Sequence, residues 1–161
     1  MESCAHYIKL LHESGSAFKL KLPVLPEIVE KSIIDEAHSS GHVVLAHAFT
    51  LEDTLKVLSL GVDGTAHTLI DQSPTDELVA AFERNNSFCN PTLTVIGSNT
   101  AEGKTMQERY AHDPRVQDLL VDGQRESMCQ CIAMTSRSEG SLRFAIETVK
   151  KLKENGIDVL W

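Results

Sequence analysis

Long apolar runs are missing from this 161-residue sequence, and none reaches the roughly 18 consecutive apolar residues that a membrane-spanning helix needs. The N-terminus also lacks a basic segment followed by an apolar run, so no signal peptide is predicted. Basic residues are scarce: 15 lysines and arginines stand against 23 acidic residues, for a net charge of -8. This balance argues against non-specific nucleic-acid binding, which depends on a basic surface. It leaves binding of metal cations open.

Cysteine is sparse as well. The four cysteines, Cys4, Cys89, Cys129 and Cys131, do not have the spacing of a disulfide framework. The sequence therefore favours a reducing compartment, and a cytoplasmic location is expected. Cys129 and Cys131 could hold a soft metal ion, but no second ligand pair follows at the spacing of a zinc finger, so this site is disfavoured.

Short apolar segments alternate with segments of helical periodicity, a pattern typical of β/α units around a parallel sheet. Strands are predicted over residues 7–11, 43–47, 62–67, 88–95 and 157–161. Pro91 would make the fourth strand short or irregular at that point. Helices are predicted over residues 26–40, from the Thr50 cap to Gly61, after Ser73-Pro74, weakly over 116–134, and over 138–155. Residues 97–115 are predicted to be a long loop or lid, with a short helix within it as an open alternative. The fold class is therefore α/β with about five parallel strands, in a single domain over residues 1–161.

Two histidines stand at the ends of consecutive predicted strands. His47 ends Val-Val-Leu-Ala-His, and His67 ends Gly-Thr-Ala-His. Neighbouring parallel strands lie roughly 5 Å apart, so their terminal side chains can converge on one ion, and neutral imidazole is a good zinc ligand. Lys9, inside the apolar run of the first strand, is a further candidate, because lysine is seldom buried without a partner. The alternative is that both histidines have a purely structural role and bind no metal.

His12 and Glu13 follow the first predicted strand into the region where the strand ends form a crevice. The two side chains could contact a substrate there. A solvated polar pair in a loop explains them equally well. They are therefore candidate substrate-binding residues, and a solvated loop pair stays open as the alternative.

Four short motifs occur in order along the chain: Tyr7-Ile-Lys9, Ala46-His47-Ala48, Gly61-Val-Asp-Gly-Thr-Ala-His67 and Asn90-Pro-Thr-Leu93. Together they resemble the amidohydrolase superfamily, in particular its imidazolonepropionase-like and prolidase-like members. The resemblance is most specific over residues 37–97. It implies part of a (β/α)8 TIM barrel with metal ions at the mouth where the strands end. It also implies a hydrolase that acts on C–N bonds in amides, peptides or cyclic amides.

The resemblance places Lys9 at the family's carboxylated bridging lysine, on the fourth barrel strand. It places His47 and His67 at the metal-binding histidines of the fifth and sixth strands. A divalent metal, zinc foremost, is the implied cofactor, and it would activate water for attack on an amide or dipeptide-like small molecule. Nucleic acid and membrane are not expected as partners.

The sequence also departs from the family pattern. No two histidines are separated by one residue, so the ligand pair of the first barrel strand is absent, and Asp158 comes too early to serve as the aspartate of the eighth. A complete barrel needs about 250 residues, and this chain corresponds to about strands four to eight. Three interpretations stay open: a truncated hydrolase that is weakly active or inactive alone, a non-catalytic α/β binding fragment, or a cut gene product without a stable fold. Unpaired sheet edges would favour self-association, and no catalytic residue is assigned.

Overall fold

The computed structural model describes residues 5–121, 123–132 and 140–160. Its sheet has four parallel strands in the order β1-β2-β3-β4. The strands are β1 Tyr7–Leu11, β2 Val43–His47, β3 Gly64–Ala66 and β4 Phe88–Asn90. The helices are α1 Glu27–Ser39, α2 Leu51–Leu60, α3 Asp76–Asn85, α4 Leu93–Asn99, α5 Lys104–Ala111, α6 Gln124–Cys129 and α7 Leu142–Glu154, with 3-10 turns at Ser16–Phe18 and Gln117–Leu119. The predicted α/β class with parallel strands alternating with helices is confirmed.

The register of the sheet aligns the carboxyl ends of all four strands. Leu11 pairs with His47, His47 with Ala66, and Ala66 with Asn90. The residues that follow these four positions therefore leave the sheet at one common edge. In open parallel α/β sheets this edge is where ligands bind.

The sheet buries one face against its helices. Successive strand residues point to opposite faces, and in β2 the alternate residues Val44 and Ala46 are fully buried. They pack in one core with residues from α1, α2 and α3, among them Ile34, Leu58 and Phe82. The opposite face leaves four side chains exposed: Tyr7, Lys9, Leu11 and Val43. The sheet therefore presents a partly apolar face that none of the described helices covers.

Local capping explains where α2 begins and ends. The Thr50 hydroxyl accepts a hydrogen bond from the backbone N–H of Asp53, at 3.1 Å, as the sequence predicts for an N-cap. Gly61, at φ 96°, ends the helix in the left-handed region that glycine tolerates best. None of the helices in the described residues combines the length and the apolarity needed to cross a membrane.

The strand predicted over residues 88–95 is short, as Pro91 indicates, but the residues after Pro91 form a helix that is not predicted. The strand stops at Asn90, because Pro91 has no N–H to continue the ladder. Thr92 then takes a left-handed conformation, at φ 48°, and α4 begins at Leu93. A segment this short fits a helix or a strand equally well, and Pro91 divides the two.

Three other predicted segments differ from the structure. Residues 97–115 contain the end of α4 and all of α5, so this segment is more helical than the predicted loop with at most one short helix. Of residues 116–134, only the short α6 and a 3-10 turn are helical, and residues 122, 133 and 134 lie outside the described residues. The last predicted helix begins at Leu142, capped by the Ser141 hydroxyl; its predicted start at Ser138 also lies outside them.

The fifth predicted strand is reduced to a single bridge. Val159 pairs in parallel with Cys89 of β4. Two backbone hydrogen bonds support the bridge, from Cys89 N to Asp158 O at 2.9 Å and from Leu160 N to Cys89 O at 2.8 Å. The segment therefore lies beside β4 where a fifth strand would lie, and Trp161 falls outside the described residues.

Candidate metal centre at the strand ends

The carboxyl edge of the sheet brings His47 and His67 together. His47 is the last residue of β2, and His67 directly follows β3, with its N–H donating to Asn90 O at 2.8 Å. His67 has φ 81°, which is uncommon for a residue other than glycine and redirects its side chain as the strand ends. The two imidazole ring centroids lie 4.5 Å apart with the planes 80° to one another.

Each imidazole has one nitrogen engaged by another side chain. His47 Nε2 lies 3.2 Å from Glu13 Oε2. His67 Nδ1 is hydrogen-bonded to Thr92 Oγ1. Among the described residues no protein group is hydrogen-bonded to His47 Nδ1 or His67 Nε2. Each ring therefore keeps one nitrogen available to an external ligand.

Phe49 forms an apolar wall beside the two histidines. Its ring stacks on His67 with centroids 4.5 Å apart and meets His47 edge-on at 4.9 Å. Phe49 is itself buried and packs edge-to-face against Phe18 at 5.5 Å. The sequence analysis did not single out Phe49 or the Thr92 contact. The only sequence signal for Phe49 is an aromatic residue two positions after a strand-end histidine.

Burial is the main cause of an unusually low pKa at His67. Desolvation, together with the nearby His47 and Lys9, lowers the pKa of His67 to about 3. The ring is therefore neutral at physiological pH. Neutral imidazole is the form that binds zinc and other transition metals.

Lys9 lies on the uncovered face of the sheet. It pairs in register with Leu45, two positions before the pair formed by Leu11 and His47. Its side chain is exposed rather than buried among apolar residues. The charge of Lys9 still contributes to the low pKa of His67, which places the two residues in the same neighbourhood.

His12 and Glu13 occupy different environments although they are adjacent. Glu13 faces His47, as described above. His12 is 6% exposed and lies between two buried carboxylates, with Nδ1 2.8 Å from Glu30 Oε1 and Nε2 3.5 Å from Asp53 Oδ1. The pKa of His12 is raised to about 9, chiefly by its hydrogen bond to Asp53. Burial opposes this shift, and Glu30 adds to it. Both of its ring nitrogens are engaged, and its role in substrate binding stays a prediction.

The donor chemistry fits part of a metal site. In the described ranges, no group of three or more histidine, cysteine, aspartate and glutamate side chains is arranged to hold a metal ion. His47 and His67 supply two imidazole nitrogens, and Lys9 could supply an oxygen ligand only after carboxylation. Cys89 is no candidate, since burial raises the pKa of its thiol to about 12 and keeps it protonated.

The comparisons with sequences of known proteins gave no result, since neither a family model nor a curated protein matches this chain. Solved structures do match. A prolidase complexed with N-methylphosphonate-L-proline superposes with a TM-score of 0.61 at 16% identity, over 97% of this chain and 33% of that one. An amidohydrolase gives 0.56 at 20% identity, over 97% and 32%, and the ochratoxinase of A. niger gives 0.60 at 16%, over 96% and 30%.

The chain has the fold of part of a prolidase or amidohydrolase. This confirms the fold that the resemblance of the four motifs implies. At these identities the likeness is one of fold. The chain spans about a third of the length of the structures it matches, so the amidohydrolase-like sheet described here is one portion of their architecture.

Proposed function

We propose that this chain carries part of the metal centre of a hydrolase that cleaves C–N bonds. The observation that supports the proposal is the paired placement of His47 and His67, whose rings lie 4.5 Å apart at the ends of adjacent parallel strands. Each ring has one nitrogen without a protein partner among the described residues. The fold in which this pair occurs is shared with prolidases and amidohydrolases.

In this proposal His47 and His67 bind a divalent cation, zinc foremost, and Lys9 joins them as a carboxylated ligand. When bound, such a cation polarises a carbonyl group and lowers the pKa of water. The low pKa of His67 keeps its nitrogen free of a competing proton. Phe49 excludes water from one side of the pair. We assign no general base, because Glu13 already accepts hydrogen bonds from its neighbours.

The proposed substrate is a small amide or dipeptide-like molecule. Two of the matching structures hold small ligands: a prolidase is complexed with N-methylphosphonate-L-proline, and a Xaa-Pro dipeptidase has the amino acid methionine in its active site. The crevice at the carboxyl ends of the strands, where His47 and His67 lie, is the expected binding region. His12 and Glu13 remain the proposed substrate-contacting residues of the β1–α1 loop.

We further propose that the chain alone is weakly active or inactive. Two histidines and one lysine supply fewer ligands than a dinuclear centre requires, and the sheet face that carries Lys9 is uncovered. Exposed Tyr7, Leu11 and Val43 make the same face a site for self-association. A non-catalytic binding fragment is the competing function, and it predicts a folded chain without metal.

Metal content tests the proposal directly. The purified chain is dialysed against trace zinc, and bound metal is measured by mass spectrometry in the wild type and in the double variant His47→Ala, His67→Ala. We expect about one zinc ion per chain in the wild type and loss of that zinc in the double variant. His112→Ala removes an exposed histidine of the α5 end and should change nothing. A folded wild type without zinc would contradict the proposal and favour the binding fragment.

A further inference from the structure

The two histidines are anchored from two separate loops. Glu13, in the β1–α1 loop, reaches Nε2 of His47, and Thr92, in the turn between β4 and α4, reaches Nδ1 of His67. In a neutral imidazole one nitrogen carries the proton and the other offers a lone pair. The partner of one nitrogen therefore decides which nitrogen can bind a metal.

Glu13 selects the proton position of His47. An ionised carboxylate only accepts hydrogen bonds, so His47 Nε2 must donate to Glu13 Oε2 across their 3.2 Å contact. The lone pair of the neutral ring is then on Nδ1. The other carboxylate oxygen of Glu13 accepts the N–H of Gly15 at 2.7 Å, and the side chain is only 11% exposed. Glu13 is thus held at both oxygens.

Dense contacts fix the residues on either side of Glu13. His12 N donates to His47 O at 3.2 Å, which extends the β1–β2 ladder by one residue. The His12 ring is bound by buried carboxylates, as described above. Ser14 donates through its hydroxyl to Asp53 Oδ2 at 2.7 Å. Because both neighbours are anchored, the Glu13 carboxylate is placed against His47 before any ligand arrives.

Thr92 has a corresponding position at His67. It follows Pro91 and has φ 48°, a conformation that β-branched residues rarely adopt. This conformation places Thr92 Oγ1 within hydrogen-bonding distance of His67 Nδ1. A hydroxyl can accept as well as donate. As an acceptor it holds a proton on Nδ1 and leaves the Nε2 lone pair free.

We propose that Glu13 and Thr92 are positioning residues that select the tautomers of His47 and His67, presenting His47 Nδ1 and His67 Nε2 to a metal ion. The inference rests on the proposed function for its purpose, but the tautomers themselves exist without metal. Carboxylate and hydroxyl partners of this kind orient metal-binding histidines and raise their basicity. The loops after β1 and β4 thus act on the site through the histidines rather than as ligands.

The tautomers can be read from metal-free, 15N-labelled protein by long-range 1H–15N correlation at pH 8, where histidines of ordinary pKa are neutral. We expect the Nε2–H form for His47 and the Nδ1–H form for His67. Glu13→Leu and Thr92→Val remove the acceptors and should give mixed tautomers at the facing histidine. Glu13→Gln and Thr92→Ser keep an acceptor oxygen and should preserve them. Wild-type protein with the opposite proton on His47 would overturn the inference, whatever the variants do.

Zinc affinity, measured by competition with a chelating dye, provides the second readout. Glu13→Leu and Thr92→Val should each weaken zinc binding by roughly 10- to 100-fold, as loss of such partners does elsewhere. Glu102→Gln removes a carboxylate that accepts from the start of α7, and it should leave affinity unchanged. Absence of zinc binding by the wild type would defeat the proposed function alone, whereas unchanged tautomers in Glu13→Leu would defeat this inference alone.

Discussion

Replacing His12 with alanine should lower the free energy of unfolding by about 3–5 kcal/mol, the range for breaking a buried ion pair by removing one partner. Glu30 is completely buried and Asp53 is 5% exposed, and His12 is the cation between them. One oxygen of Glu30, Oε2, already has no hydrogen-bond partner among the described residues. Removing His12 would leave two carboxylates in a desolvated site with no opposing charge.

Chemical denaturation followed by circular dichroism measures this change. His38→Ala is the matched control, since His38 forms a similar 2.8 Å contact with Asp63 but both side chains are 39% exposed. Exposed ion pairs contribute about 0–1 kcal/mol. A loss in His12→Ala no larger than the loss in His38→Ala would mean that the buried cluster does not stabilise the fold as its geometry indicates.

Raising the pH from about 6.5 to about 9 should progressively destabilise the protein through the same residue. The pKa of His12 rises from 6.5 to about 9 on folding, because Asp53 and Glu30 favour its charged form. A group whose pKa is raised by folding stabilises the folded protein most at pH values below its pKa in the unfolded state. This stabilisation is lost as the pH rises through its pKa in the folded state. The difference between these two pKa values corresponds to a loss of about 3 kcal/mol in the free energy of unfolding, at 1.36 kcal/mol per pKa unit.

The effect of His12 is isolated by comparing the wild type with His12→Gln across this pH range. Glutamine cannot titrate, so the difference in unfolding free energy between the two proteins should shrink steadily from pH 6 to pH 9.5. A difference that stays constant over this range would show that His12 is not charged in the folded protein. On the acid side Asp53, whose pKa is lowered chiefly by its hydrogen bond to His12 against burial, should lose its contribution as the pH falls.

The buried cluster also affects the candidate metal centre. His12 and Ser14 are anchored by carboxylates that come from α1 and α2, and Glu13 lies between them. A change that loosens this loop should therefore also displace the carboxylate that faces His47. Stability and metal affinity are expected to decline together in His12→Ala, while Glu13→Leu should affect metal affinity far more than stability.

Much of the fold is readable from local patterns. The bounds of β1 and β2 follow from apolar runs and their flanking residues, and the cap at Thr50 follows from hydroxyl chemistry. The helix that follows β4 is not readable in this way, because the strand is predicted to run to Val95, whereas the chain leaves the strand at Pro91 and begins α4 after the turn at Thr92. Pro91 is a local signal for the end of the strand, but a segment this short does not distinguish a following helix from a continued strand.

The sequence by itself determined that His47 and His67 end neighbouring strands, because parallel strands with aligned ends must bring successive strand termini to one edge. It also marked Lys9 and the loop after β1 as unusual. Only the tertiary structure decided that His12 is buried between Glu30 and Asp53 while its neighbour Glu13 faces His47. These partners are separated by 18 to 41 residues along the chain, and contacts between α1, α2 and the β1–α1 loop depend on how helices pack on the sheet. No local pattern encodes that packing, since it arises from many weak contacts formed together.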